Sequence, residues 1–303
     1  MARITHVQEK AHDDALALLS LTRRLKDEEI EFVYRHYNPM ATHRVTKGAI
    51  FFTPYEIASD LAVMARLNCG GRVLDYAAGI GVLTHHMLQS EYWDTGDEVK
   101  HHVCVEIEAE FVEVGKKLLP QVEWICGNIF DLDLMQSLGV FKMGIANPPF
   151  GAIPSIRDAK KWMKAQVPTH LATIEMMVRM CELGGIILMP RADQEYQRDR
   201  DSQRRYTVST ALERLLIAFP GLRVGACMEL DWNQYPKWQG TDPDVVIANV
   251  SVDDMDAPIP FGFADVKKLR LAIPSAVAIP IALPVYPLVT PEPVMQQLAL
   301  IGE

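Results

Sequence analysis

A chain of 303 residues, 49% hydrophobic and 23% charged, has an ordinary soluble globular composition and is long enough for one large domain with additions or for two small ones. Its net charge of −9 argues against a general nucleic-acid coat, so any nucleic-acid contact has to be a local basic face. The cysteines (Cys69, Cys104, Cys126, Cys181, Cys227) are scattered without a CxxC pair, which points to a reduced cytoplasmic protein with buried thiols and against a zinc site or a disulfide framework. Asp, Glu, Lys and His interrupt the N-terminus where a signal peptide would be apolar, and no apolar run approaches the length of a membrane span.

Residues 1–48 are polar and helix-prone, with Ala15, Leu16, Leu18, Leu19, Leu25, Ile30 and Val33 forming a loose helical stripe that Asn38-Pro39 breaks. They read as a helical extension lying on the main domain. His6, His12, His36 and His43 have no metal-ligand spacing. Next, Phe51-Phe52-Thr53-Pro54-Tyr55-Glu56 leads into Ile57, Leu61, Ala62, Met64, Ala65 and Leu67 at helical spacing. Thr53 as N-cap, Pro54 at the first helical position and Glu56 as the far side of a capping box account for the segment as a helix start. Free N–H groups at such a start can also hold a carboxylate, and two phenylalanines before it can wall an aromatic ring.

Arg72-Val73-Leu74-Asp75-Tyr76-Ala77-Ala78-Gly79-Ile80-Gly81 is an apolar strand, an acid and a glycine turn, and the helix beginning at Val82 follows. The glycines allow a tight turn and close backbone approach to a ligand, at a spacing different from GxGxxG. The strand 102–107 carries Glu106 near its carboxyl end, where an acid can accept hydrogen bonds from two ribose hydroxyls. A third strand, 122–126, ends in Gly127-Asn128-Ile129, an amide and an apolar side chain suited to an adenine edge and face. His85-His86 and His101-His102 read as surface residues. Helices over 168–183 and 207–218 alternate with strands over 141–146, 185–189, 222–228 and 245–250, the last two joined without a helix. This alternation predicts an α/β fold: a doubly wound, seven-stranded, mostly parallel sheet with one reversed strand.

The fourth strand ends in Asn147-Pro148-Pro149-Phe150. The prolines fix φ and remove two N–H donors, so the corner presents carbonyl oxygens with little freedom. Taken alone, the tetrapeptide reads equally well as a strand-terminating turn. In the crevice at the sheet's carboxyl edge it suits the methylation of a planar amine, whose lone pair is delocalised into a ring. If the Asn147 amide oxygen and the Pro148 carbonyl each accept one N–H, the nitrogen can pyramidalise while Phe150 stacks on the ring. No metal or covalent intermediate is needed.

Phe51-Phe52-Thr53-Pro54, Asp75 to Gly81, Glu106 and Asn147-Pro148-Pro149-Phe150, in that order, resemble the S-adenosylmethionine-dependent DNA adenine-N6 methyltransferases of gamma-type motif order. Tyr235-Pro236-Lys237-Trp238-Gln239-Gly240-Thr241 also resembles the modification subunits of type I restriction systems. The similarity covers roughly residues 45–252. It implies the Rossmann-like class I methyltransferase fold, S-adenosylmethionine as cofactor and DNA as partner, with the target adenine flipped out of the duplex. Carried over, Phe52, Thr53, Asp75, Ala77, Gly79, Gly81, Glu106, Asn128 and Ile129 would bind the cofactor. Asn147, Pro148, Pro149 and Phe150 would be catalytic. Trp238 or Tyr235 would sandwich the flipped base. Asn128 departs from many relatives, which place an acid against the cofactor adenine.

Arg157, Lys160, Lys161 and Lys164 against Asp158 make a candidate phosphate-contacting loop after the catalytic corner. Arg191, Arg198, Arg200, Arg204 and Arg205 are interleaved with Asp193, Glu195, Asp199 and Asp201, so that loop is near neutral and reads equally as solvated or as ordering on binding. Only about 50 residues follow the last strand, with Pro258, Pro260, Pro274, Pro280, Pro284, Pro287, Pro291 and Pro293 among them. They predict an extended arm packed on a surface rather than a recognition domain. The expected organisation is therefore a helical extension (1–48), a catalytic domain (49–253) and a proline-rich arm (254–303). Specificity would be relaxed, or supplied by a specificity subunit or a second copy, as suits a solitary phage-type enzyme. Two other readings compete: methylation of rRNA adenine or a protein glutamine amide at the same corner, and a non-catalytic scaffold subunit.

Overall fold

The computed structural model describes residues 5–38, 52–66, 71–91, 101–149, 151–154, 166–198, 204–230 and 245–252. The expected α/β architecture is present. Helices α1 (His6–Leu19), α2 (Asp27–His36) and α3 (Tyr55–Arg66) precede strand β1 (Val73–Tyr76). Then come α4 (Val82–Glu91), β2 (His102–Glu106), α5 (Ala109–Leu118), β3 (Glu123–Cys126), α6 (Leu132–Ser137) and β4 (Met143–Ala146). A short hairpin of β5 (Ala152–Pro154) and β6 (Gln166–Pro168) leads to α7 (Thr169–Met180) and β7 (Gly185–Pro190). A second hairpin, β8 (Gln194–Arg198) and β9 (Arg204–Val208), precedes α8 (Thr210–Ala218), β10 (Leu222–Glu229) and β11 (Val245–Val252).

Seven strands form one sheet in the order β10-β11-β7-β4-β1-β2-β3. β1, β2, β3, β4 and β7 pair in parallel, and β11 runs against both β7 and β10. The order turns back between β1 and β4, and a ligand crevice forms outside the carboxyl ends of the strands at such a switch point.

The pleat divides the core. Val73, Cys104, Met143, Ile145, Ile186 and Leu188 pack in one apolar cluster with residues of α1 to α5. Their strand neighbours Leu74, Tyr76, Val103, Val105, Ala146 and Ile187 pack in a second cluster with α6, α7 and α8. Both faces are covered, which explains why these strands are apolar throughout rather than alternating. The N-terminal helices share the first cluster through Ala15, Leu25, Ile30, Val33, Tyr34 and Tyr37.

Several expectations change. His85, His86 and His102 are buried, not on the surface. The first two lie on α4 against the rings of Tyr34 and Tyr55, and His102 opens strand β2 opposite Val73. His101 is exposed, as expected. Cys104 and Cys181 are buried, but Cys126 is exposed on the edge strand β3. The loop after β7 is a paired hairpin with a 3-10 turn at its start rather than an irregular segment. By contacts the chain divides into Met1–Val266 and Lys267–Glu303. The second unit and the whole proline-rich arm (254–303) lie outside the described residues.

Candidate active site

Parallel register sets the site. Tyr76 lies opposite both Val105 and Ala146, and Ala146 lies opposite Ile187. Ala77, Glu106 and Asn147 therefore leave the sheet side by side at its carboxyl edge, the first and last flanking the switch point.

After β1 the backbone enters a left-handed turn, with φ of 55° at Ala77, 59° at Gly79 and 91° at Gly81. Ala78 N–H donates to Val105 O at 3.1 Å and Gly81 N–H to Ala78 O at 2.9 Å, tying the turn to β2 and to itself. A side chain at Gly79 would be strained by this φ, and its Cβ would sit 2.9 Å from the Phe52 ring. Phe52 is itself held by Phe111, with centroids 5.0 Å apart, and by Tyr37 at 5.9 Å. The ring thus lies against the bare glycine backbone, as a wall for the turn.

Glu106 is buried at the end of β2. Its Oε2 accepts the Gly79 N–H at 2.8 Å and its Oε1 accepts the Glu108 N–H at 2.9 Å. Burial pushes this carboxyl up, and the backbone hydrogen bonds offset part of that rise. Each oxygen keeps a lone pair for a further donor. Asp75 is deeper still. Its Oδ2 accepts the Thr84 hydroxyl at 2.7 Å, while Oδ1 is buried with no hydrogen-bond partner among the described residues. Burial pushes the Asp75 carboxyl up to about 7, with Thr84 pulling it back and Glu106 adding repulsion.

At the fourth strand, Asn147 Nδ2 donates to Thr53 Oγ1 at 2.9 Å. The helix after Thr53 begins at Tyr55, and Glu56 pairs with Arg35. Thr53 is therefore a partner of Asn147 more than a helix cap. In this arrangement the amide nitrogen faces Thr53. The other end, Asn147 Oδ1, is buried and unpartnered among the described residues. Leaving such an acceptor unsatisfied costs about 1–3 kcal/mol. Pro148 is buried, Pro149 is exposed, and Phe150 lies outside the described residues.

Beyond β3, Asn128 Oδ1 accepts the Phe130 N–H at 2.9 Å, so its amide closes a local turn while its NH2 group can still donate to a ligand. Ile129 is buried. Arg157, Lys160 and Lys161 fall outside the described residues, but β5 and β6 pair on either side of them, beginning a few residues after Asn147. Tyr235 and Trp238 also fall outside. Their segment leaves from the end of β10 and returns at Val245, opposite Pro190, so both its ends lie at the edge that carries Asn147.

Sequence reasoning missed two features. Thr84, on the first turns of α4, is the partner of Asp75. Its only signal was a hydroxyl on the helix that follows the acid. The second is a buried cluster in which Asp193 Oδ2 lies 2.6 Å from His170 Nε2 and Oδ1 accepts the Ser209 hydroxyl. Burial pushes Asp193 up, but the hydrogen bonds from His170 and Ser209 outweigh it and hold the carboxyl below its ordinary value. Among the described residues no group of three or more His, Cys, Asp or Glu could hold a metal ion, and no helix is long and apolar enough to cross a membrane.

No protein-family model matches the chain, and no curated protein matches it. Solved structures do. A protein assigned as a class I S-adenosylmethionine-dependent methyltransferase from Listeria monocytogenes matches at TM-score 0.55 and 14% identity, over 89% of this chain and 90% of that one. The methyltransferase subunit of a type I restriction-modification system from Streptococcus thermophilus matches at TM-score 0.50 and 12% identity, over 84% of this chain. This chain spans 59% of that subunit's length. At such identities the likeness concerns the path of the backbone. The seven-stranded sheet with its single reversed strand, its switch point at β1 and β4 and its helices on both faces is the Rossmann-like fold of the class I methyltransferases.

Proposed function

We propose that the chain transfers a methyl group from S-adenosylmethionine to the N6 amino group of adenine in DNA, with specificity relaxed or supplied by a partner. The observation that carries this reading is the unpartnered Asn147 Oδ1 at the switch-point edge, its amide oriented by Thr53. A buried acceptor without a donor is suited to receive one, and an exocyclic amine brings two.

The residues at the edge also fit the cofactor. Glu106, fixed by two backbone N–H groups, retains lone pairs for the ribose hydroxyls. The left-handed turn at Ala77–Gly81 has no side chain at Gly79 to bar close approach. Phe52 and Ile129 offer apolar walls and the Asn128 amide a donor, while Asp75, with Thr84, braces the turn from below. When bound, S-adenosylmethionine supplies an electrophilic methyl group on a sulfonium centre.

The chain's own work is then orientation and electrostatics. Asn147 Oδ1 accepts one N–H of the amine and the Pro148 carbonyl accepts the other. Both pull toward a pyramidal nitrogen, which frees the lone pair for attack. Pro148 and Pro149 keep the corner rigid, and Phe150 stacks on the flipped base.

Incubation of the protein with labelled cofactor and plasmid DNA lacking N6-methyladenine tests the reading. Label is expected in DNA, as N6-methyladenine. Asn147→Ala should lower transfer by about a hundredfold or more, as loss of one preorganised polar group does, while cofactor affinity stays within a few-fold. Label in ribosomal RNA or release factor instead of DNA would sink the DNA assignment. Undiminished transfer by Asn147→Ala would sink the mechanism.

A further inference from the structure

β3 is the last strand of the sheet, and it carries a tryptophan. Trp124 lies opposite Cys104 of β2, and its half-buried ring packs with the first apolar cluster. The ring reaches two glycines. A Cβ at Gly115, inside α5, would overlap the ring at Cη2 and Cζ2. A Cβ at Gly81 would lie 2.9 Å from the same two atoms, closer than carbons approach. The far end of the indole therefore fills space that only glycine leaves at both positions. Gly115 would otherwise be a poor choice, since a glycine inside a helix is less stable there than alanine. At the near end, the indole N–H donates to Leu119 O at 3.3 Å, just past α5.

Gly81 closes the left-handed turn after β1. That turn holds a non-glycine residue, Ala77, at φ 55°, a conformation that persists only where the surroundings enforce it. Its backbone is held at Ala78 by Val105 O and at Gly79 by Glu106. Gly81 O accepts the His85 N–H at 2.8 Å and the Tyr34 hydroxyl at 3.4 Å. These bonds fix the polar atoms. The bare glycine carbons are held by rings, Phe52 against Gly79 and Trp124 against Gly81. The room that Gly81 leaves is thus taken by a side chain of the protein itself.

We propose that Trp124 is a positioning residue for the cofactor: packed on Gly81, it keeps the glycine turn in its binding shape before S-adenosylmethionine arrives. The proposal rests on the cofactor part of the reading above and not on the choice of DNA as acceptor. Without the ring the turn relaxes from its strained shape, and only a fraction of the empty protein stays competent. Apparent affinity falls by that fraction.

The test joins equilibrium binding of S-adenosylmethionine to the full chain, well below its melting temperature, with amide hydrogen exchange of residues 77–81. Trp124→Leu should weaken binding by about tenfold and speed exchange of the empty turn by a similar factor. Saturating cofactor should restore parental protection at the turn, which it would not do for damage elsewhere. Gly115→Ala lies outside the turn, in a helix that alanine favours. It should also weaken binding, by displacing the ring, and should add no loss in the Trp124→Leu background, where that ring is gone. Glu123→Gln, the exposed neighbour on β3, should bind within about twofold of the parent. Trp124→Phe, whose ring stops short of both glycines, replaces Trp124→Leu if the latter does not fold. Parental affinity and exchange in the Trp124 variant would overturn the proposal, as would additive losses from Gly115→Ala and Trp124→Leu. A parent that binds no S-adenosylmethionine would remove the cofactor assignment and the proposal with it. A parent that shows this pattern of losses but methylates no DNA would leave the role of Trp124 standing and remove only the acceptor.

Discussion

At the scale of single residues, the site holds carboxyl groups that the fold makes hard to ionise. Asp75, fully enclosed, is pushed up to about 7 by burial, against the pull of Thr84. A group that binds its proton more tightly folded than unfolded stabilises the folded state in acid. That contribution is lost as pH rises from the ordinary carboxylate range through about 7. Asp75→Asn removes the titration. Between about pH 5 and pH 8 the melting temperature of the parent should fall more than that of the variant. The gap corresponds to a few kcal/mol, at about 1.4 kcal/mol per unit. Parallel melting curves would mean that the carboxylate is ionised throughout. The turn that joins Asp75 and Gly79 to Glu106 was legible because a buried strand ending in a glycine-rich turn constrains residue type locally. Thr84 was not, since a hydroxyl on a helix becomes the partner of an acid only once the helix is packed behind the strand.

Among the elements, α4 shows what periodicity does not reveal. His85 and His86 sit side by side on it, yet both are enclosed by Tyr34, Tyr55 and each other. Burial pushes His85 down to about 4, with Asp27 and Glu31 offsetting part of the drop. It pushes His86 to about 3, with the neighbouring ring adding to the fall. The unfolded chain takes up these protons near pH 6.5, so stability is lost as pH falls from there toward about 4 and below. This runs against the Asp75 contribution in the same window. His85→Gln/His86→Gln should start less stable at neutral pH, having lost ring packing, yet lose less on acidification from about pH 7 to pH 5. Urea midpoints at the two pH values check this. An equal acid loss in parent and variant would mean that the histidines are already charged when folded. The β8–β9 hairpin escaped notice for a related reason. Its residues carry no apolar alternation, and only the backbone pairing of 194–198 with 204–208 makes strands of them.

For the whole molecule, the doubly wound sheet was readable because buried parallel strands and their helices follow a strong alternation. The place of the N-terminal helices was less so. Leu25, Ile30, Val33, Tyr34 and Tyr37 are buried in the same cluster as Ile57, Leu61 and Met87. At about 2 kcal/mol per buried large side chain they contribute on the order of 10 kcal/mol, comparable to the net stability of a domain. Removal of residues 1–38 should therefore yield a chain without a cooperative thermal transition. A truncated chain that melts sharply near the parental temperature would show that these helices are an accessory. One contact reaches across the same distance with a different result. The Thr53 hydroxyl and the Asn147 amide are 94 positions apart in the chain, and their bond gives the corner a polarity. With the nitrogen end occupied, what remains is a lone pair seeking hydrogen. A ring bearing a keto oxygen at that place would bring one acceptor against another. On the proposed reading, the latch would favour amino-bearing rings over their deaminated counterparts before any bond is made.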